Sequence, residues 1–207
     1  MARAASTKGQ TRIQREKTEA ILEAALEVFA TYGFRGATID QIAAQSGLSK
    51  PNILYYFDGK EAIHAELLSR LLTKWLEPLK HLGDSDDPVD EICAYVERKL
   101  AMSRDYPRES RLFANEIIQG APRILDELKG QLKTLTDDKA TLIQSWCDAG
   151  KINPIDPYHL IFSIWATTQH YADFDVQVRA VLSDKADGRF DQAAAFLDTI
   201  YRATLTP

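Results

Sequence analysis

Thr38-Ile39-Asp40-Gln41-Ile42-Ala43-Ala44-Gln45-Ser46-Gly47-Leu48-Ser49 is the stretch that decides the fold. Thr38 has the chemistry of an N-cap, and a short helix follows it through Ala44. Ser46-Gly47 makes a turn, and Ser49 is a second N-cap. Pro51 falls in the first turn of the next helix, where a missing N–H costs nothing. Ala43 is small where two helices must cross closely, and Gly47 tolerates the positive φ of a tight turn. Ile39, Ile42, Leu48 and Ile53 supply a small core that fixes the crossing angle. This is the spacing of a helix-turn-helix over about residues 38–57, a unit whose second helix enters the major groove while the first crosses the backbone. Helical corners in ordinary cores share the shape, so the surrounding residues must decide.

They favour DNA. The open face of the second helix carries Ser49, Lys50, Asn52 and Tyr55. Hydroxyls and a lysine hold phosphates, a carboxamide reads a base edge, and a tyrosine does either. Helix N-termini at Thr38 and at Asp58-Gly59-Lys60 present free N–H groups to phosphate oxygens. One of Tyr55 and Tyr56 is expected to pack inward; the spacing does not say which. The surface assigned to DNA is therefore Thr38, Ser49, Lys50, Pro51, Asn52, Tyr55, Tyr56 and Lys60.

Working outward, nearly every segment reads as helix. Ile21, Leu22, Ala25, Leu26, Val28 and Phe29 follow a helical repeat that Gly33 stops. After Asp58, expected as a cap, comes a long helix with Ile63, Leu67, Leu68, Leu71, Leu72, Trp75 and Leu79. Further helices are predicted over about 89–105, 109–118, 123–149, 157–182 and 190–204, punctuated by Pro107, Gly120, Pro122, Gly150, Pro154, Pro157 and Gly188. The predicted fold class is all-α, about nine helices: a three-helix DNA-binding domain over 15–75 behind a basic arm (1–14), then a larger helical body over 76–207. The two parts join inside the long fourth helix, near Leu68, and share it.

Composition sets outer bounds. Hydrophobic residues make up 45% and charged residues 27% of 207, which excludes a disordered or collagen-like chain. Leu160 to Ala166 is the best apolar run and is too short to span a bilayer. Met1 to Gln10 is polar, so no secretory signal is expected, and a cytoplasmic location is. The net charge of −5 disfavours nucleic acid taken whole, yet residues 1–64 hold eight basic groups against seven acidic ones. Five basic residues and one acid, Glu16, fall in the first seventeen, the pattern of an arm along a phosphate backbone or of a solvated terminus. Cys93 and Cys147 lie far apart, and His64, His81, His159 and His170 show no ligand spacing, so no disulfide and no metal is expected.

Phe29 to Thr38, Ile42-Ala43, Gly47-Leu48-Ser49, Leu54-Tyr55-Tyr56-Phe57 and Lys60-Glu61 resemble the DNA-binding domain of TetR-type regulators. The resemblance implies a homodimer with an effector-binding body that dimerises through its last two helices. The residues agree with a seam: Phe190, Ala193, Ala194, Leu197, Ile200, Tyr201 and Leu205 make one apolar stripe, a patch too large to leave exposed. Further blocks, among them Trp75 to Lys80, Ser103 to Pro107, Ser110 to Phe113 and Ile164 to Phe174, resemble the branch of that family controlling pyrimidine utilisation. That resemblance implies uracil or thymine as effector and no cofactor. Trp165, Thr168 and Gln169 share a face of the helix over 157–182. A carboxamide complements the N–H and C=O edge of a pyrimidine, an indole stacks on the ring, and Trp75 and Phe113 can close the sides. Aromatic residues at helical spacing are more commonly core. Gln169 resists that reading, because a buried amide left unpartnered costs ~1–3 kcal/mol.

Other classes fit less well. No Gly-rich phosphate loop, G-x-S-x-G or H-E-x-x-H is present, so no catalytic residue is assigned. A helical adaptor needs no Ser49, Lys50, Asn52 and Lys60 on one surface. Within the regulator class, a different planar or apolar effector is the alternative. The expected switch is the fourth helix, which begins at the DNA-binding unit and carries Trp75 to the effector.

Overall fold

A computed structural model describes residues 12–83 and 87–207. Residues 1–11, most of the arm assigned to 1–14, lie outside the described residues, as do 84–86 of the Gly83–Pro88 loop. All elements are helical, and no strand occurs among the described residues. The chain divides into two compact units, Met1–Leu67 and Leu68–Pro207.

The first unit contains α1 (Arg12–Gly36), α2 (Ile39–Ser46), α3 (Lys50–Tyr56) and the opening turns of α4 (Lys60–Lys80). α1 buries Ile21, Leu22, Ala25, Leu26, Val28 and Phe29, the stripe its periodicity marks. At Gly33 φ is 65°, where a Cβ is disfavoured, and the helical path breaks. Thr38 and Gln41 form a reciprocal box that caps α2: the Gln41 N–H donates to the Thr38 hydroxyl at 3.2 Å, and the Thr38 N–H to Gln41 Oε1 at 2.8 Å. Gly47, at φ 66°, closes α2, and Ser49 accepts from the Asn52 N–H to open α3. Ile42 and Ile53 are fully buried, while Ile39 and Leu48 are half-buried at the rim. The cap of α4 falls on Gly59 rather than Asp58, because the Ile63 N–H closes on the Gly59 carbonyl at 3.2 Å.

In the second unit α5 (Pro88–Asp105) packs against α9 (Pro157–Asp173) and α11 (Arg189–Leu205). Its core joins Ile92, Tyr95, Val96 and Leu100 of α5 to Leu160, Ile161 and Ile164 of α9, and to Leu197, Tyr201 and Leu205 of α11. Each such side chain contributes ~1.5–3 kcal/mol on burial. α6 (Pro107–Ile118) and α8 (Lys133–Asp148) also pack on α9. The helix expected over 123–149 is α7 (Leu125–Glu127) running through a π-helical stretch, Leu128–Leu132, into α8. The helix expected over 157–182 breaks at Phe174 into α9 and α10 (Asp175–Leu182), and a 3₁₀ turn (Ser183–Gly188) leads to α11. Helix ends are closed by side chains: Asp87 on α5, Asp156 on α9, Lys139 on the carbonyls of Lys80 and Leu82, and Asn153 on those of Thr204 and Thr206. No described helix is long and apolar enough to cross a membrane.

Candidate functional site

α3 is about two turns anchored by Ile53, and its other side is open: Lys50, Pro51, Asn52, Leu54 and Tyr55 are exposed. Tyr55 is 74% exposed, whereas Tyr56 is half-buried with its ring edge-on to Tyr55 at 5.1 Å. The inward-turning member of the pair is therefore Tyr56. Ser49 accepts the cap hydrogen bond through its oxygen, which leaves its proton to donate. The Thr38 hydroxyl is engaged in both directions by Gln41, accepting from its N–H and donating to Oε1 at 2.9 Å. Lys50 pairs with Asp40 at 2.9 Å on the surface, an exposed contact worth little that DNA phosphate can displace.

Lys60 is placed differently from its sequence reading. Its ammonium donates to the carbonyls of Phe34 and Ala37, both at 2.9 Å, and lies 4.7 Å from the Phe34 ring centre. Two of three donors thus close the end of α1, where carbonyls lack helical partners.

In the second unit, four of the five residues assigned to the effector line one cavity. Trp75 of α4, Phe113 of α6, and Trp165 and Gln169 of α9 surround a volume of about 60 Å³. Water needs ~10–15 Å³ by this measure, so the space suits a few waters or one small ring. Thr168 is not brought there: it is fully buried, and its hydroxyl donates to the Ile164 carbonyl one turn back at 2.7 Å. A turn of 100° per residue moves it off the face that Trp165 and Gln169 share.

Leu72, Leu76, Leu79 and Leu132 also line the cavity, as do two polar residues the sequence reading missed. The Tyr95 hydroxyl accepts from Trp165 Nε1 at 2.7 Å, which fixes the indole as a wall and removes its N–H from use by a ligand. Lys99, one turn along α5, is only 3% exposed, and its ammonium lies 5.7 Å from the Trp75 ring centre. Burial lowers its pKa to about 8, opposed by the carboxylate of Asp173. Asp173 is itself pushed up by burial and accepts from the Ser110 hydroxyl at 2.6 Å. The available signal was a lysine inside the apolar stripe Ile92, Tyr95, Val96, Leu100, where a cation must be paired or purposeful.

The stripe of α11 is divided. Ala193, Leu197, Tyr201 and Leu205 are buried within the chain's own core, and the Tyr201 hydroxyl sits 3.1 Å from those of Ser163 and Thr167. Phe190 packs on Tyr171 of α9, and Ala194 is half-buried beside the same core. Of the residues assigned to a dimer seam, only Ile200, at 40%, is exposed; Phe196 joins it on the outer face. The apolar repeat marks the face toward α5 and α9, because one chain must first cover its own core. Among the described residues, no three His, Cys, Asp or Glu side chains are grouped to hold a metal, and both cysteines are free.

This capped helix-turn-helix ahead of a helical body defines a class of DNA-binding regulators. Residues 21–67 match the model of bacterial regulatory proteins of the tetR family, and residues 68–207 that of the C-terminal region of YcdC-like proteins. The chain belongs to the TetR family of transcriptional regulators, which are not enzymes. It is 50% identical over 176 residues to the HTH-type transcriptional regulator RutR of Escherichia coli K12, covering 85% of this chain and 83% of RutR. It is 39% identical over 128 residues to SrpR of Pseudomonas putida, covering 57% and 60% respectively. Among solved structures, a putative transcriptional regulator of Streptomyces coelicolor superposes with a TM-score of 0.74 at 24% identity, covering 91% of this chain and 98% of that one. AibR in complex with isovaleryl coenzyme A and operator DNA gives 0.69 at 19% identity, covering 89% and 97%.

Proposed function

We propose that this regulator binds palindromic operator DNA as a homodimer, in the cytoplasm, and is released by a pyrimidine such as uracil or thymine, so controlling pyrimidine utilisation. The observation that carries the effector is the convergence of Trp75, Phe113, Trp165 and Gln169, from three helices, on one small cavity. Indoles give stacking faces, and the Gln169 carboxamide pairs with a ring N–H and C=O. The 50% identity to RutR supports the same reading.

The DNA side rests on α3. Ser49 and Lys50 hold phosphates, Asn52 and Tyr55 reach base edges, and two copies of α3 fall about one helical turn apart, ~34 Å. The outer faces of α9 and α11 form the two-fold seam, with Phe196 and Ile200 contributing the apolar area. α4 is one helix from Lys60 to Lys80, so a ring seated beside Trp75 displaces the same rod that opens next to α3 in sequence. Release needs the ligand to prefer the non-binding state by ~1–3 kcal/mol.

Calorimetric titration of the apo-protein with uracil, thymine, cytosine and an unrelated apolar compound tests the effector. Gln169→Leu should keep the fold and operator binding and lose the response to uracil. Release of DNA by Gln169→Leu at the wild-type uracil concentration would sink the pocket assignment.

A further inference from the structure

The effector cavity carries one group that its aromatic walls do not account for. Lys99 is buried on α5 and lines the cavity, and among the described residues no carboxylate is bonded to its ammonium. Taking a cation out of water is costly unless something rewards it. The charged groups nearest the site are Arg98, its neighbour on α5, whose charge acts on Tyr95, and Asp173. Asp173 of α9 favours the ammonium from a distance while bonded to Ser110 of α6, with Arg111 and His170 acting on Asp173 in turn. Tyr95 on its own helix, Trp75 of α4 and Gln169 of α9 are uncharged.

The polar inventory of the cavity is donor-rich. Lys99 offers donors alone, Tyr95 has its proton left after accepting from Trp165, and Gln169 offers one acceptor oxygen beside an N–H₂. A ligand that satisfies this set presents two acceptors and one donor. That is the –CO–NH–CO– edge of a cyclic imide. A 4-amino pyrimidine presents the same number of each in another order, with N–H₂ in place of one carbonyl and a bare ring nitrogen in place of the N–H, so that seating this edge on Lys99 and Gln169 sets donor against donor at the lysine.

Resting on the pyrimidine reading above, we propose that Lys99 is the specificity-determining residue of the cavity: its ammonium donates to a ring carbonyl and restricts the effector to imide-edged rings, rejecting 4-amino analogues. Lys99 and Gln169 line the same small cavity, so one ring can meet both. The ligand carbonyl favours the charged lysine, so the pKa of about 8 rises in the complex. Affinity is then greatest below pH 8 and declines above it, where binding must first take up a proton.

Calorimetry on the full-length protein tests this with uracil and cytosine at pH 7 to 9. Wild type should prefer uracil by ~100-fold or more, since a site with buried donors rejects a ligand that cannot accept from them. Lys99→Met should weaken uracil by about 10- to 100-fold, the worth of a charge-assisted hydrogen bond, and bring cytosine within about tenfold of it. Independently of any variant, wild type should take up ~0.5 proton on binding uracil at pH 8, seen in buffers of different ionisation enthalpy. An unchanged uracil-to-cytosine ratio in a folded Lys99→Met protein, or no proton uptake by wild type, overturns the role of Lys99 alone. A wild type that binds no pyrimidine overturns the effector reading and this inference with it.

Discussion

The indole N–H of Trp165 on α9 donates to the phenolic oxygen of Tyr95 on α5 at 2.7 Å, tying together two helices that line the same cavity. The bond holds the Trp165 ring as a wall and leaves the Tyr95 proton to donate. Burial pushes the phenol far above the ordinary tyrosine range, so it stays neutral at any working pH.

Tyr95→Phe removes that acceptor and keeps the ring. The indole N–H then lacks its partner, which costs ~1–3 kcal/mol. Urea unfolding should show a lower midpoint at unchanged slope, and pyrimidine affinity should fall because the wall is no longer fixed. A variant as stable as wild type would mean that the indole finds another acceptor.

Lys50 and Lys60 separate two jobs that one residue type can do. Lys50→Ala should flatten the salt dependence of operator binding by ~1 in log–log slope, because a phosphate contact is lost. Asp40→Ala frees Lys50 from its surface ion pair and should tighten binding modestly at low salt. Lys60→Ala uncaps the Phe34 and Ala37 carbonyls and should lower stability by ~1–2 kcal/mol in thermal unfolding. A pure salt-slope change in Lys60→Ala, with full stability, would return that lysine to the DNA.

The two faces of α11 predict opposite phenotypes. Leu197→Ala opens a cavity beside α5 and should cost ~2–5 kcal/mol of stability. Ile200→Glu sits on the exposed face and should leave the monomer fold intact while splitting the proposed dimer, read as a halved mass in light scattering at micromolar concentration. A dimer that survives Ile200→Glu and Phe196→Glu together places the seam elsewhere.

What was legible in the sequence was local. The caps at Thr38 and Ser49 and the turn at Gly47 are of this kind: the partners the structure gives them lie three or four residues away, so residue type and spacing state the structure. That Trp165 and Gln169 share one cavity was also legible, because residues four apart lie on one helix face. The partners of Lys60 lie 23 and 26 residues away in sequence, and nothing local distinguishes a lysine bound for a carbonyl from one bound for a phosphate. The α11 stripe shows the same limit: periodicity identifies the apolar face but not whether α5 or a second chain covers it. Thr168 failed on angle, since adjacent positions on one helix turn cannot all reach one small cavity.

Lys99 also leaves a mark on the stability of the empty protein. Its folded pKa of about 8 lies below the 10.5 of an exposed lysine, so burial of the charged form opposes folding. Below pH 8 both states carry the proton and the full penalty applies. Between pH 8 and 10.5 the unfolded chain binds the proton and the folded one does not, so stability rises with pH across that window. At 1.36 kcal/mol per pKa unit, the penalty near neutrality is of the order of ~3 kcal/mol. Lys99→Met should therefore unfold at higher urea than wild type at pH 7. The gap should shrink as pH approaches 10, while groups common to both proteins cancel. If Lys99→Met is destabilised at pH 7 and the gap does not vary with pH, the ammonium is already well paired in the empty cavity, and a ring carbonyl has little left to satisfy.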